Sequence, residues 1–276
     1  MRNVIATALL CAASASNAGM IVYNDFTDLS GFQLNGSAAT LNPNDLGVLR
    51  LTDDLSQAGT AFLKNTVSLS NQASFSAAFD FQITDNQGIS DSDGQGADGI
   101  TFIVQALSNT AGSTGFGIGY HNITNSVAIE FDTWNNGRID DRNGNHVGID
   151  IGGNVDSVVQ SNIATRMNNG EIWSAWVDYD GASNLLEVRL AEDGLRTSTA
   201  LLSYEVDLAA ELGSLDAYIG FGSGTGAAGG DHDILNLEFR DDFDPIATRA
   251  ASVPAPGSLA LLAMGLLGFR LKRRQR

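Results

Sequence analysis

The sequence predicts an all-β protein, a two-sheet sandwich of jelly-roll type, and three observations carry that expectation. Short apolar–polar alternations recur from Gly19 to about Arg240, the period of strands that bury one face. Turn signals separate most of them, at Asp180-Gly181, Asp193-Gly194 and the glycine run from Gly222 to Gly230. Helical periodicity is almost absent, and no repeat of fixed period breaks the pattern.

Taken in order, Phe75, Ala77, Phe79, Phe81 and Ile83 form a half-buried strand, and Ile100, Phe102, Val104 and Ala106 a second. The third places Val127, Ile129 and Phe131 on one face and Ala128, Glu130 and Asp132 on the other. Val147, Ile149 and Ile151 follow, then Trp173, Ala175, Val177 and Tyr179. Trp176 falls on the opposite face from Trp173, so one ring is expected in the core and the other exposed or at the rim. Leu186, Val188 and Leu190 alternate with Glu187 and Arg189. Leu202, Tyr204, Val206 and Leu208 come next, then Ala217, Ile219 and Phe221, and finally Leu235, Leu237 and Phe239. These strands make one domain, residues 19–240.

The ends differ in kind. Residues 1–18 carry Arg2, an apolar run from Val4 to Ala13 and the small residues Ser16-Asn17-Ala18, the pattern of a secretory signal peptide cut before Gly19. Residues 241–252 read as a linker. Residues 253–276 hold Val253-Pro254-Ala255-Pro256, an apolar run from Leu259 to Phe269 and the basic cluster Lys272, Arg273, Arg274 and Arg276. The apolar run is shorter than the roughly 20 residues of a comfortable membrane span. The tripartite segment resembles the PEP-CTERM sorting signal of Gram-negative bacteria, with Pro-Ala-Pro where Pro-Glu-Pro is usual. That resemblance implies processing by an exosortase-type enzyme, only transient membrane contact, and a product secreted or held at the cell surface.

Without the two ends, nine basic residues face 32 acidic ones, a charge of −23. Nucleic acid is excluded as a partner, because phosphates need a basic footprint. The sole cysteine, Cys11, lies in the signal segment, so no disulfide braces the domain.

The stretch Val127–Ile151 organises the rest. Glu130 and Asp132 stand side by side on one strand face and repel unless a cation or proton lies between them. An oxygen-rich loop through Trp134, Asn136, Asp141 and Asn143 then leads to His146. Oxygen donors suit calcium, and carboxylates with one imidazole suit manganese or a similar divalent ion. Asp91-Ser92-Asp93-Gly94 begins like a calcium loop but lacks the glutamate that would close one, and reads as a surface loop. His121 and His232 are expected in structural or solvent roles.

The run Glu130, Asp132, Thr133, Trp134, Asn136, Asp141 and His146-Val147-Gly148-Ile149 resembles the signature of L-type, legume-lectin-like domains of the concanavalin type. The resemblance implies a calcium ion and a manganese-type transition metal sharing Asp132 and Asp141. Asn136 and the Trp134 carbonyl would complete the calcium site, and Glu130 and His146 the other. It also implies a carbohydrate site. Asp98 of Gly96-Ala97-Asp98-Gly99 follows a cis peptide and accepts sugar hydroxyls, and Gly117 of the loop 115–120 offers a backbone N–H. The glycine-rich segment Gly222–Asp231, with Ala227 at its middle, forms the loop that selects the sugar. The Asn136 amide would donate and the Trp134 ring would stack on the sugar's apolar face. The function implied is a secreted, calcium-dependent lectin, not an enzyme, whose partner is a glycan or exopolysaccharide. Two alternatives stand beside it. One is an extracellular matrix protein that binds no sugar. The other is a jelly-roll glycoside hydrolase, for which Glu130-Phe131-Asp132 supplies the first carboxylates but Trp134 and Asn135 stand where a further one is needed.

Overall fold

A computed structural model describes residues 19–39, 47–112, 115–139 and 142–247. The signal segment, Asp141, the end of the linker and the sorting segment lie outside the described residues. The strands are β1 Met20–Tyr23, β2 Phe32–Gly36, β3 Leu49–Thr52, β4 Ala58–Leu63, β5 Val67–Ser68, β6 Phe75–Gly88, β7 Gly99–Gln105 and β8 Ser126–Asp132. They continue with β9 His146–Ile151, β10 Val159–Asn162, β11 Ile172–Asp180, β12 Leu185–Ala191, β13 Leu202–Glu205, a short helix α1 Leu208–Leu212, β14 Asp216–Gly224 and β15 Ala228–Arg240.

Two antiparallel sheets result. The back sheet runs β1-β15-β6-β11-β12-β13, with β3 also on β15. The front sheet runs β10-β9-β8-β7-β14-β4-β2, with β5 also on β14. Register follows from the need to keep each strand's apolar set on one face. Val127 pairs with Ile151, Ile129 with Ile149 and Phe131 with Val147, so all six side chains enter the core together. Phe79 of the back sheet meets Phe102, Phe131 and Phe221 of the front sheet at ring separations of 5.5, 5.8 and 5.0 Å. These rings stitch the sheets together beneath the stretch that carries the carboxylates.

The outer faces are also covered, which the alternation did not foretell. Ser76, Ala78 and Asp80 of β6 are buried, so this strand is not half-buried. Trp173 and Trp176 do point to opposite faces, yet both are buried. Trp176 lies on the outside of the back sheet, where Ile246, Ala78 and Ala191 pack around it. The first residues of the expected linker thus lie along that face. Over the front sheet, loops bring Tyr120, Ile123 and Val155 onto Phe62, Ile103 and Ala128 as a small second core.

Two further departures have local causes. The alternation 202–208 ends at Glu205, because Asp207 caps α1 by accepting from Ala210 N–H at 3.0 Å. The stretch Gly222–Asp231 is mostly strand, and only Thr225–Ala227 form a turn. Its glycines make room for the loop above them. A Cβ on Gly222 would lie 3.1 Å from the Ile118 carbonyl oxygen, and one on Gly224 2.6 Å from that of Gly115.

Candidate functional site

The site grows out of the β8–β9 pairing. Glu130 and Asp132 are two apart and share the outer face of β8; His146 pairs with Asp132 across the ladder and so projects on the same side. One ligand atom from each of the three lies within 4.8 Å of the others, and all three residues are at most 2% exposed. His146 Nε2 is 3.0 Å from Glu130 Oε1. Gly148 pairs with Glu130, and a Cβ there would stand 2.0 Å from Ser157 Oγ and 2.7 Å from Glu130 Oε1. The Ser157 hydroxyl occupies that space, 2.7 Å from Glu130 Oε1 and 2.6 Å from Asp150 Oδ1. Two buried carboxylates and an imidazole with ligand atoms this close together form a donor set that fits a divalent cation.

Beyond β8 the chain turns at once. Asp132 Oδ1 accepts the Trp134 N–H at 2.7 Å, and Asn135 Oδ1 accepts that of Gly137 at 2.8 Å. Trp134 and Asn136 are half-buried on this loop. Its far end is fixed by Asn145, whose amide donates to the carbonyls of Ile163 and Thr165 and accepts from Met167 N–H. Asp141, the remaining ligand expected here, lies outside the described residues.

Asp98 comes up beside the end of β8. The Ala97–Asp98 peptide bond is cis, as the resemblance implied. Gly99 pairs with Asp132 on one side and Gly224 on the other. Asp98 O accepts the Thr133 N–H at 2.9 Å, and Asp98 N–H donates to Gly224 O at 3.1 Å. Asp98 is 4% exposed. Gly117 is buried in the single helical turn Gly115–Gly117 that lies against β14, and Ala227 is exposed at the β14–β15 turn. Four segments carrying Asp98, Gly117, Trp134–Asn136 and Ala227 therefore gather at one end of the front sheet.

The sequence did not point to Ser157, and it gave His232 no partners. Ser157 touches Glu130 from beyond the motif and carries no pattern of its own. His232 is fully buried on β15. Ser223 Oγ donates to Gly99 O at 2.8 Å, so it accepts from Thr52 Oγ1 at 3.2 Å, which in turn accepts from His232 Nδ1–H at 2.7 Å. This hydroxyl chain supports the backbone next to Asp98, a structural role as expected. Burial holds the imidazole down at about 4.

Comparison with known proteins agrees with this geometry. The legume lectin domain family matches residues 20–254, and the PEP-CTERM protein-sorting motif matches 252–274. Two relatives from Arabidopsis thaliana are the L-type lectin-domain containing receptor kinases VIII.2 and IV.2, 30% and 31% identical over 78% and 84% of this chain. The chain spans only 31% and 37% of their lengths. Lectin II from Ulex europaeus superposes with a TM-score of 0.69 at 23% identity, covering 82% of this chain and all of that one. A lectin from Bauhinia forficata in complex with GalNAc gives 0.68 at 26% identity, with 84% and 100% covered. Among the described residues, no helix is long and apolar enough to cross a membrane.

Proposed function

The chain belongs to the legume lectin domain family, and from that premise we propose that it is an exported carbohydrate-binding protein whose site is organised by calcium and a manganese-type ion. The observation that supports this most is the pairing of Gly99 with Asp132, which puts Asp98 next to the strand that carries Glu130 and Asp132. Glu130, Asp132, Asp141 and His146 are the proposed ligands of the transition ion; Asp132, Asp141, Asn136 and the Trp134 carbonyl those of calcium. The ions supply charge that neutralises the buried acids and fixes the loop from Trp134 to Asn145. Asp98 accepts from sugar hydroxyls, the Asn136 amide and the Gly117 N–H donate, Trp134 stacks on the apolar face, and Ala227 borders the pocket. Order in the loop before the sugar arrives lowers the cost of binding.

The reading is non-enzymatic. A retaining hydrolase needs two carboxylates flanking the bond, and beyond Glu130 and Asp132, both spent on metal, the neighbouring positions are Trp134 and Asn135. The sorting motif adds export, processing by an exosortase-type enzyme and a surface glycan or exopolysaccharide as the partner. A glycan array tests the proposal. Binding by the wild-type protein that disappears in Asp98→Ala, with metal uptake retained, supports it. Absence of binding to any glycan, with metal still raising the melting temperature, contradicts it and favours a structural matrix component.

A further inference from the structure

The loop Ile89–Asp98, between β6 and β7, does more than carry Asp98. Asp91 Oδ2 accepts the Asn135 N–H at 3.0 Å, and Asp93 Oδ2 accepts the Gly144 N–H at 3.0 Å. Asn135 and Gly144 are the two ends of the segment that contains Asn136 and Asp141. The carboxylates therefore close the neck of the metal loop from outside. Gly144 sits between them, since a Cβ there would lie 2.3 Å from Asp91 Oδ2 and 3.1 Å from Asp93 Oδ2.

The clasp is itself braced. Asp91 Oδ1 accepts from the N–H groups of Asp93 and Gly94 at 2.8 and 3.0 Å, which shapes the turn that presents Asp93. Arg166 donates to the carbonyls of Asp93 and Gln95 and to Asn168 Oδ1. At its start the same loop touches the sugar-selecting turn, where Ile89 N–H donates to Ala227 O at 3.1 Å. One strap thus links the Ala227 turn, both ends of the metal loop and Asp98.

We infer that Asp91 and Asp93 are positioning residues that hold the metal loop in its binding shape before the ions arrive. The inference rests on the metal-dependent reading of the site and assigns these two acids a role distinct from ligation. Hydrogen bonds from backbone amides to carboxylates are among the stronger ones, and a closed neck leaves a shorter segment to order when calcium binds. Asp91 is half-buried and Asp93 exposed, so Asp91 carries the larger share.

The test uses the full-length protein stripped of metal, as wild type, as Asp91→Ala/Asp93→Ala, and as Asp91→Ala/Asp93→Asn, which restores the one acceptor oxygen that Asp93 offers to Gly144. Calorimetric titration with Ca2+ and Mn2+, without sugar, is paired with amide hydrogen exchange at residues 135 and 144. The expected result is a calcium dissociation constant at least about tenfold higher in the alanine variant, faster exchange at both amides, and recovery of slow exchange at residue 144 but not at 135 in the asparagine variant. Equal calcium affinity and unchanged exchange in the alanine variant overturn the clasp while leaving the metal site intact. A wild-type protein that takes up neither ion removes the metal-dependent reading and the clasp with it.

Discussion

At position 148 there is no room for a side chain. The Gly148→Ala methyl would collide with Ser157 Oγ and press on Glu130, both at distances that no real Cβ contact reaches. The variant is expected to lose high-affinity transition-metal binding, measured by titration with Mn2+, while Asp98→Ala keeps the metal and loses the sugar. His232 gives a residue-scale pH dependence. Its folded value is about 4, lowered first by burial, against 6.5 for the ordinary group. Stability from its neutral form is complete above about 6.5 and is lost as pH falls toward 4, where the unfolded chain takes a proton that the folded chain refuses. Asp231 acts in the opposite sense. Its carboxyl is raised to about 6, first by desolvation, so the folded chain gains stability as pH falls through that value. The two nearly cancel in the wild type. In His232→Gln only the Asp231 gain remains, and urea unfolding at pH 7 and pH 4.5 should show the variant improving by about 2 kcal/mol relative to wild type on acidification.

Among elements, β6 and β8 carry both the core and the site. Phe79→Ala removes a ring packed on four others and is expected to cost about 4 kcal/mol in denaturant unfolding. The cluster on β8 was legible in the sequence because its residues are local: Glu130 and Asp132 share a face by period, and His146 follows at the start of the next strand. The clasp was not legible. Asp91 and Asp93 bond backbone amides 44 and 51 residues away, and an amide leaves no trace in residue type. The Gly222–Asp231 stretch was misread for a related reason. Gly222 and Gly224 answer to the close approach of the 115–119 loop while Gly226 sits in the turn, and composition alone does not separate those causes. Trp176 shows the same limit. Alternation placed it opposite Trp173 correctly, but its cover by Ile246 comes from tertiary packing.

For the whole molecule, fold and charge point the same way. A domain with no disulfide holds two or more acids at 2% exposure or less in one cluster and a net charge of −17 over the full chain. Bound cations stabilise such a fold by mass action as well as by shaping its site. Chelation is therefore expected to lower the melting temperature, and re-addition of calcium with manganese to restore it. We propose that metal and sugar binding are one function, because Asp98 lies next to the end of β8 that carries Glu130 and Asp132. The most direct measurement is glycan binding by the same protein sample in calcium plus manganese, after chelation, and after the ions are returned. The account predicts binding that is lost on chelation and recovered on re-addition. Glycan binding that persists unchanged after both ions are stripped would contradict it.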